Sequence, residues 1–137
     1  MKFEDQYFVK FHFTKDQIKK NFKNALKDLT IAKKVKILEV KFNYAYTSLI
    51  KAGLTLLSLY GVKTRSVPGH HVKIIEKLAE ILKDDSISDI GNLMRSKRNL
   101  DLYSGGIEVT EKECKEYIEF VGKVLEKVRS RVSGLTE

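Results

Sequence analysis

The residues best suited to phosphate chemistry lie in one basic run, Arg95-Ser96-Lys97-Arg98-Asn99-Leu100-Asp101-Leu102-Tyr103. Arg95, Arg98 and Asn99 are separated by steps of three and four, so a helix gathers them on one face. Guanidinium groups offer forked donors to phosphate, an amide can orient it, and Tyr103 can stack or donate its hydroxyl. The alternative is an ordinary Arg98–Asp101 helix pair beside cations that favour a helix C-terminus.

A second group of candidate residues surrounds the step Pro68-Gly69-His70-His71. A helix N-terminus favours the neutral imidazole, so either His70 or His71 could accept a hydrogen bond or act as a base. Arg65 in the preceding loop and Lys97 on the fourth helix are further candidates for contacts to phosphate. The alternative is that the histidines only pack or hydrogen-bond where the loop ends.

Positive charge is concentrated near the start of the chain. The whole sequence has a formal net charge of +8, and residues 15–36 hold eight lysines against two aspartates. A face of this kind attracts phosphates but does not select among base sequences. The alternative is a solvated surface that keeps the protein dissolved. The lysines are Lys15, Lys19, Lys20, Lys23, Lys27, Lys33, Lys34 and Lys36.

Metal and cofactor chemistry find little support in the sequence. Its three histidines are His12, His70 and His71, and no spacing matches a metal-binding helix or a glycine-rich phosphate loop. Cys114 lies in an apolar stripe and is expected to be inert packing. We therefore expect no metal and no cofactor, and the lone cysteine favours a reducing, cytoplasmic location. No apolar run reaches the roughly 18 residues of a membrane span.

The elements that must position these residues are mainly helices. With 137 residues and a single proline, the chain is expected to form one domain, residues 1–137, that is all-α. We predict an antiparallel bundle of about five helices with an extended N-terminal arm, 1–13, that has no strand partner. The first predicted helix starts at Thr14 in a capping box with Gln17. The second and third span Ala32–Tyr60 and His70–Lys83, and the fourth runs from a Ser86 cap to Leu102. The fifth starts at Thr110 in a capping box with Glu113 and ends at Val132.

The sequence resembles the HEPN (higher eukaryotes and prokaryotes nucleotide-binding) domain family from about Thr14 to Val132. The likeness lies in the order of three features: Phe42…Ala45-Tyr46…Lys51-Ala52…Leu56-Leu57…Gly61, then Gly69-His70-His71, then Met94-Arg95-Ser96-Lys97-Arg98-Asn99…Tyr103. The resemblance implies an RNA-binding protein or a metal-independent RNase, often of a toxin–antitoxin pair, whose two copies meet to build the site. It implies RNA or a nucleotide as ligand, a homodimer, and an antitoxin as partner.

The signature of these RNases is an Arg, usually a polar residue such as Asn, and a His four to six positions beyond. Arg98 and Asn99 match its first half, but Tyr103 stands where the His is expected. A phenol with a pKa near 10 is a poor general base at neutral pH, although it can still orient phosphate. Tyr103 in place of the signature histidine argues against strong RNA cleavage. The alternative is a non-catalytic nucleotide- or partner-binding module that works with a small nucleotidyltransferase, or a purely structural helical protein.

Overall fold

The computed structural model describes residues 1–104, 106 and 108–136, without the side chains of residues 100–104 and 136. The predicted all-α bundle is confirmed, with five α-helices and one two-stranded sheet in the described part of the chain. None of the described helices is long and apolar enough to cross a membrane. In chain order the elements are β1 (Phe8–Lys10), α1 (Lys15–Lys34), α2 (Leu38–Leu59), β2 (Val62–Thr64), α3 (His70–Leu82), α4 (Asp85–Ser104), α5 (Glu111–Ser133) and a 3₁₀ turn (Gly134–Thr136).

Two helix starts follow the sequence prediction closely. The Thr14 hydroxyl accepts from the backbone N–H of Gln17, whose side chain accepts from the Thr14 N–H in return. Thr110 and Glu113 form the same reciprocal pair at the start of α5. Both capping boxes satisfy N–H groups that a helix start would otherwise leave unpaired.

The predicted second helix starts too early. Residue Ala32 still belongs to α1, and residues 35–37 are extended before α2 begins at Leu38. The Lys41 ammonium group explains the break, because it donates to the carbonyls of Ala32 (2.6 Å), Lys33 and Val35 (both 3.1 Å). Carbonyl oxygens at the end of α1 thereby gain a cationic donor. An apolar stripe that runs through the break hides it from a periodicity argument.

The start of α4 also differs from the prediction. Its cap is the Asp84 carboxylate, which accepts from the Ser86 backbone N–H at 3.0 Å and from the Ser86 hydroxyl at 2.6 Å. Ser86 was predicted to be the cap, but it lies inside the helix. Lys127 of α5 binds the other oxygen of Asp84 at 2.7 Å, so tertiary charge pairing favours the aspartate as cap.

The N-terminal arm is not a lone strand. β1 pairs antiparallel with β2, which occupies part of the segment predicted as a loop, with Val9 opposite Lys63. Lys77 of α3, which is buried, anchors the arm by an ion pair with Glu4, a hydrogen bond to the Lys2 carbonyl and contacts with the ring of Phe3. The arm therefore holds the segment that leads into α3.

Helix α2 is the centre of the bundle and has neighbours on two sides. Lys51 contacts Asp28 of α1 at 2.6 Å, while a Cβ added at Gly53 would lie 2.4 Å from Ile74 Cγ2 of α3. Two residues correspond to about 200° around a helix, so α1 and α3 lie on opposite sides of α2. α5 also packs against α1 and α2, and α4 packs against α3 and α2.

Candidate phosphate-binding cleft

A cleft of about 380 Å³ lies where the start of α3 meets α4. It joins the two groups of residues that the sequence singled out separately. Among the described residues that line it, two are arginines, Arg95 and Arg98, and none has a carboxylate side chain. The lining is Ser66, Val67, Pro68, Gly69, His70, His71, Val72, Arg95, Arg98 and Asn99.

Helix α4 supplies the cationic wall of the cleft. Arg95 is half-buried and its Nε donates to Asn92 Oδ1 at 3.3 Å, one turn earlier. Arg98 and Asn99 are exposed. The Arg98 guanidinium lies over the ring of Tyr46, 5.5 Å from its centroid, in a cation–π contact. The predicted arrangement of two guanidiniums and an amide beside one another is therefore present.

The tight turn before α3 orients His70. Gly69 adopts φ +82°, a left-handed conformation that glycine tolerates without strain. His70 Nδ1 lies 2.9 Å from the Val67 carbonyl oxygen. Because a carbonyl only accepts, Nδ1 must carry the hydrogen, and Nε2 of the neutral ring holds the free lone pair. His70 thus has the tautomer that a general base at Nε2 requires.

His71 is held by a residue of the core. The His71 Nδ1 lies 2.9 Å from the hydroxyl of Tyr46, a residue only 1% exposed. The rings of His71 and His70 pack edge-on, with their centroids 4.5 Å apart. Burial, with the charges of His70, Arg98 and Arg95, lowers the pKa of His71 to about 4. His71 is therefore a neutral imidazole at pH 7, and we assign the hydrogen to Nε2, with the Tyr46 hydroxyl donating to Nδ1.

Tyr46 connects both walls of the cleft. Its ring lies under Arg98 of α4 while its hydroxyl binds His71 of α3. Burial raises the pKa of Tyr46 to about 12, although the charges of Arg98 and Arg95 lower it somewhat, so the phenol stays protonated. In the sequence, Tyr46 stands out only as part of the second-helix motif of the family resemblance, and that motif did not predict its contacts with His71 and Arg98. A buried tyrosine generally needs a hydrogen-bond partner, and that need was the available signal.

Two predicted phosphate contacts lie away from the cleft. Lys97 forms an ion pair with Glu113 at 3.1 Å and donates to the Glu108 carbonyl at 3.3 Å, on the α5 side of α4. Arg65 donates through Nε to the Asp5 carbonyl at 2.9 Å and so binds the N-terminal arm. Helix periodicity explains the position of Lys97, since Arg95 is two residues away, or about 200° around the helix, and Arg98 is one residue away, or about 100°. Neither residue lines the cleft.

Two further sequence predictions concern residues outside the description. The side chains of Tyr103 and Asp101 are not among the described ones, so the structure does not place the predicted tyrosine or the alternative Arg98–Asp101 pair.

Cys114 behaves as the apolar stripe predicts. It is buried, its thiol approaches the Leu38 carbonyl at 3.5 Å, and burial raises its pKa. Within the described residues, no three or more His, Cys, Asp or Glu side chains are grouped so as to hold a metal ion.

Comparison of the chain with protein-family models, with curated proteins and with solved structures found no match.

Proposed function

We propose that the protein is a HEPN-like, cytoplasmic RNA-binding protein that cleaves RNA without a metal, with the cleft as its active site. The observation that carries this proposal is the meeting of Arg95 and Arg98 with a base-competent His70 in one cleft. Positive charge attracts the phosphate, and guanidinium donors suit the negative charge that develops on the phosphoryl oxygens in the transition state. The order of the sequence motifs, which resembles that of the HEPN family, also supports the proposal.

In the proposed reaction, His70 Nε2 takes the proton of a ribose 2′-hydroxyl while Asn99 orients that hydroxyl. The 2′ oxygen forms a bond to phosphorus, and the bond from phosphorus to the 5′ oxygen breaks. Arg98, assisted by Arg95, stabilises the negative charge of the pentavalent species. The 5′ oxygen leaves with a proton from water or from Tyr103, and the products are a 2′,3′-cyclic phosphate and a 5′-hydroxyl.

His70 replaces the missing signature histidine in this scheme. The family pattern expects the histidine on the same helix as the arginine, where this chain has Tyr103. Here the start of α3 brings an imidazole to the cleft that Arg98 also lines. His71 stays neutral and serves as a hydrogen-bond donor to phosphate through Nε2, because its pKa of about 4 keeps it from acting as an imidazolium acid at pH 7.

A homodimer and a toxin–antitoxin partnership belong to the same proposal and rest on the resemblance alone. Sedimentation of the purified protein at micromolar concentration tests the dimer. A monomer under these conditions would count against it, and purification from its native host tests for an antitoxin.

The second candidate function is a non-catalytic module that binds a nucleotide or a nucleotidyltransferase partner. Tyr103 at the signature position favours it, since a phenol is a weak base at neutral pH. This candidate predicts saturable binding of RNA or a nucleotide in the Arg98 cleft without any turnover.

The deciding experiment measures cleavage of a fluorescently labelled RNA in EDTA by the wild type, Arg98→Ala and His70→Ala. We expect 2′,3′-cyclic products from the wild type and rates at least about 100-fold lower in both variants. Arg131→Ala is the matched control, because Arg131 binds the Ile81 carbonyl near the opposite end of α3. Equal rates in all four proteins would point to a contaminating nuclease. Binding without cleavage would favour the second candidate.

A further inference from the structure

Four lysines form a row along α1, which we call the lysine ridge: Lys15, Lys19, Lys23 and Lys27. They recur at every fourth residue, so each step rises about 6 Å along the helix and the row spans about 18 Å. All four side chains are exposed. A shallow groove beside the ridge is lined by Lys19 and Lys23, and two further cations line it as well: Lys20 of α1 and Arg129 of α5. The ridge is thus a continuous line of positive charge.

Among the described residues, no carboxylate neutralises the charge of the ridge. In the part of the chain that the structure describes, no ion pair joins a ridge lysine to a carboxylate. The two acidic residues of α1 do little to offset it. Asp28 is buried and paired with Lys51 at 2.6 Å, which leaves Asp16 as the one exposed carboxylate of the helix.

The ridge is separate from the Arg98 cleft. α1 packs against α2 and α5, whereas the cleft is built by α3 and α4. As Lys51 and Gly53 show, α1 and α3 lie on opposite sides of α2. A phosphate group bound at the ridge therefore does not lie in the cleft.

The surface chemistry of α1 indicates which kind of anion fits. α1 is described in full and none of its large hydrophobic residues is exposed: Ile18, Phe22 and Leu29 are buried, and Leu26 and Ile31 are half-buried. Membrane-surface helices insert apolar side chains beside their lysines, and protein interfaces have apolar or aromatic anchors and few lysines at their centre. Evenly spaced, anchor-free lysines match a repeating phosphate backbone instead.

We propose that the lysine ridge is a second nucleic-acid-binding surface, which holds an RNA strand through its phosphates without reading its bases. The surface adds salt-dependent affinity to the protein. Its existence does not depend on cleavage in the Arg98 cleft.

The test is the salt dependence of binding, measured by fluorescence anisotropy with a labelled 20-nucleotide single-stranded 2′-O-methyl RNA, which lacks the 2′-hydroxyl that the proposed cleavage requires. The ridge variant is Lys19→Gln/Lys23→Gln/Lys27→Gln. Each lost phosphate contact lowers the slope of log K against log salt by about 0.7, so we expect a loss of about 2 in slope. At 0.1 M salt the corresponding loss of affinity is on the order of 100-fold.

The matched control removes the same charge from α5, as Lys112→Gln/Lys115→Gln/Lys123→Gln, at three exposed positions. This α5 variant should keep most of the slope of log K against log salt. A charge-conserving ridge variant should keep both the slope and the affinity: Lys19→Arg/Lys23→Arg/Lys27→Arg. Equal losses in the two glutamine triples would overturn the proposal, because net charge alone would then explain binding. Binding to phosphatidylserine vesicles but not to RNA would also overturn it.

The same titration in the Arg98→Ala background separates the two sites. If cleavage proves absent but the ridge slope persists, the cleft proposal fails and the ridge proposal stands. If Arg98→Ala abolishes all binding and the ridge variant changes nothing, the ridge proposal fails alone.

Discussion

The Tyr46 hydroxyl lies 2.9 Å from Nδ1 of His71, so a residue at the centre of the core sets the orientation of an imidazole in the cleft. The ring of the same tyrosine makes a cation–π contact with the Arg98 guanidinium. One side chain thereby connects α2, α3 and α4, and the position of the cleft depends on the packing of the bundle.

The variant Tyr46→Phe tests this connection. It removes one hydrogen bond and leaves Nδ1 of His71 without its partner, so we expect the free energy of unfolding to fall by about 1 to 2 kcal/mol. The His71 ring should also lose its single tautomer, which is visible in the ¹⁵N chemical shifts of its ring nitrogens. Tyr44→Phe on the same helix is the control and should change stability by less than about 0.5 kcal/mol. Equal effects of the two variants would contradict the assigned role.

Stability should depend on pH through His71. Its pKa of about 4 in the folded protein lies below the ordinary 6.5, so between these values the unfolded chain binds a proton that the folded protein does not. The free energy of unfolding is therefore expected to fall as the pH drops from about 6.5 toward 4. Urea titrations across this range measure it.

In His71→Gln the decline between pH 6.5 and 5 should be smaller than in the wild type. Acidic groups with lowered pKa values, such as Asp84 beside Lys127, also weaken the fold in acid, but mainly below the ordinary range of a carboxylate. His12→Gln, at an exposed position, is the control and should keep the wild-type profile. An unchanged profile in His71→Gln would show that His71 does not carry this dependence.

The close approach of α2 to α3 should make Gly53→Ala destabilising. A Cβ there would lie 2.4 Å from Ile74 Cγ2, in the buried centre of the bundle, and overpacking of this kind costs about 1 to 3 kcal/mol. In contrast, a Cβ at Gly122 of α5 would lie 3.9 Å from Leu29 Cδ2, an ordinary contact. Gly122→Ala should therefore be neutral or stabilise by up to about 1 kcal/mol, as thermal unfolding can show. Equal destabilisation by both variants would contradict the packing argument.

The helices themselves were largely predictable because their signals are local. The capping boxes at Thr14 and Thr110 each need only residues three positions apart, and α3 begins at His70 as predicted. The same locality explains the errors. The break before Leu38 depends on Lys41 reaching back to carbonyls of α1, and the partner of β1 lies more than fifty residues along the chain.

Sequence spacing by itself determined that Arg95, Arg98 and Asn99 share a helix face and that α1 carries a row of lysines, because a helix repeats every 3.6 residues. Only the tertiary structure decided that His70 and His71 meet the arginines, that Lys97 turns to Glu113, and that Tyr46 supports both walls of the cleft. The reason is physical: these contacts join helices that are distant in sequence, and the burial of apolar faces around α2 brings them together.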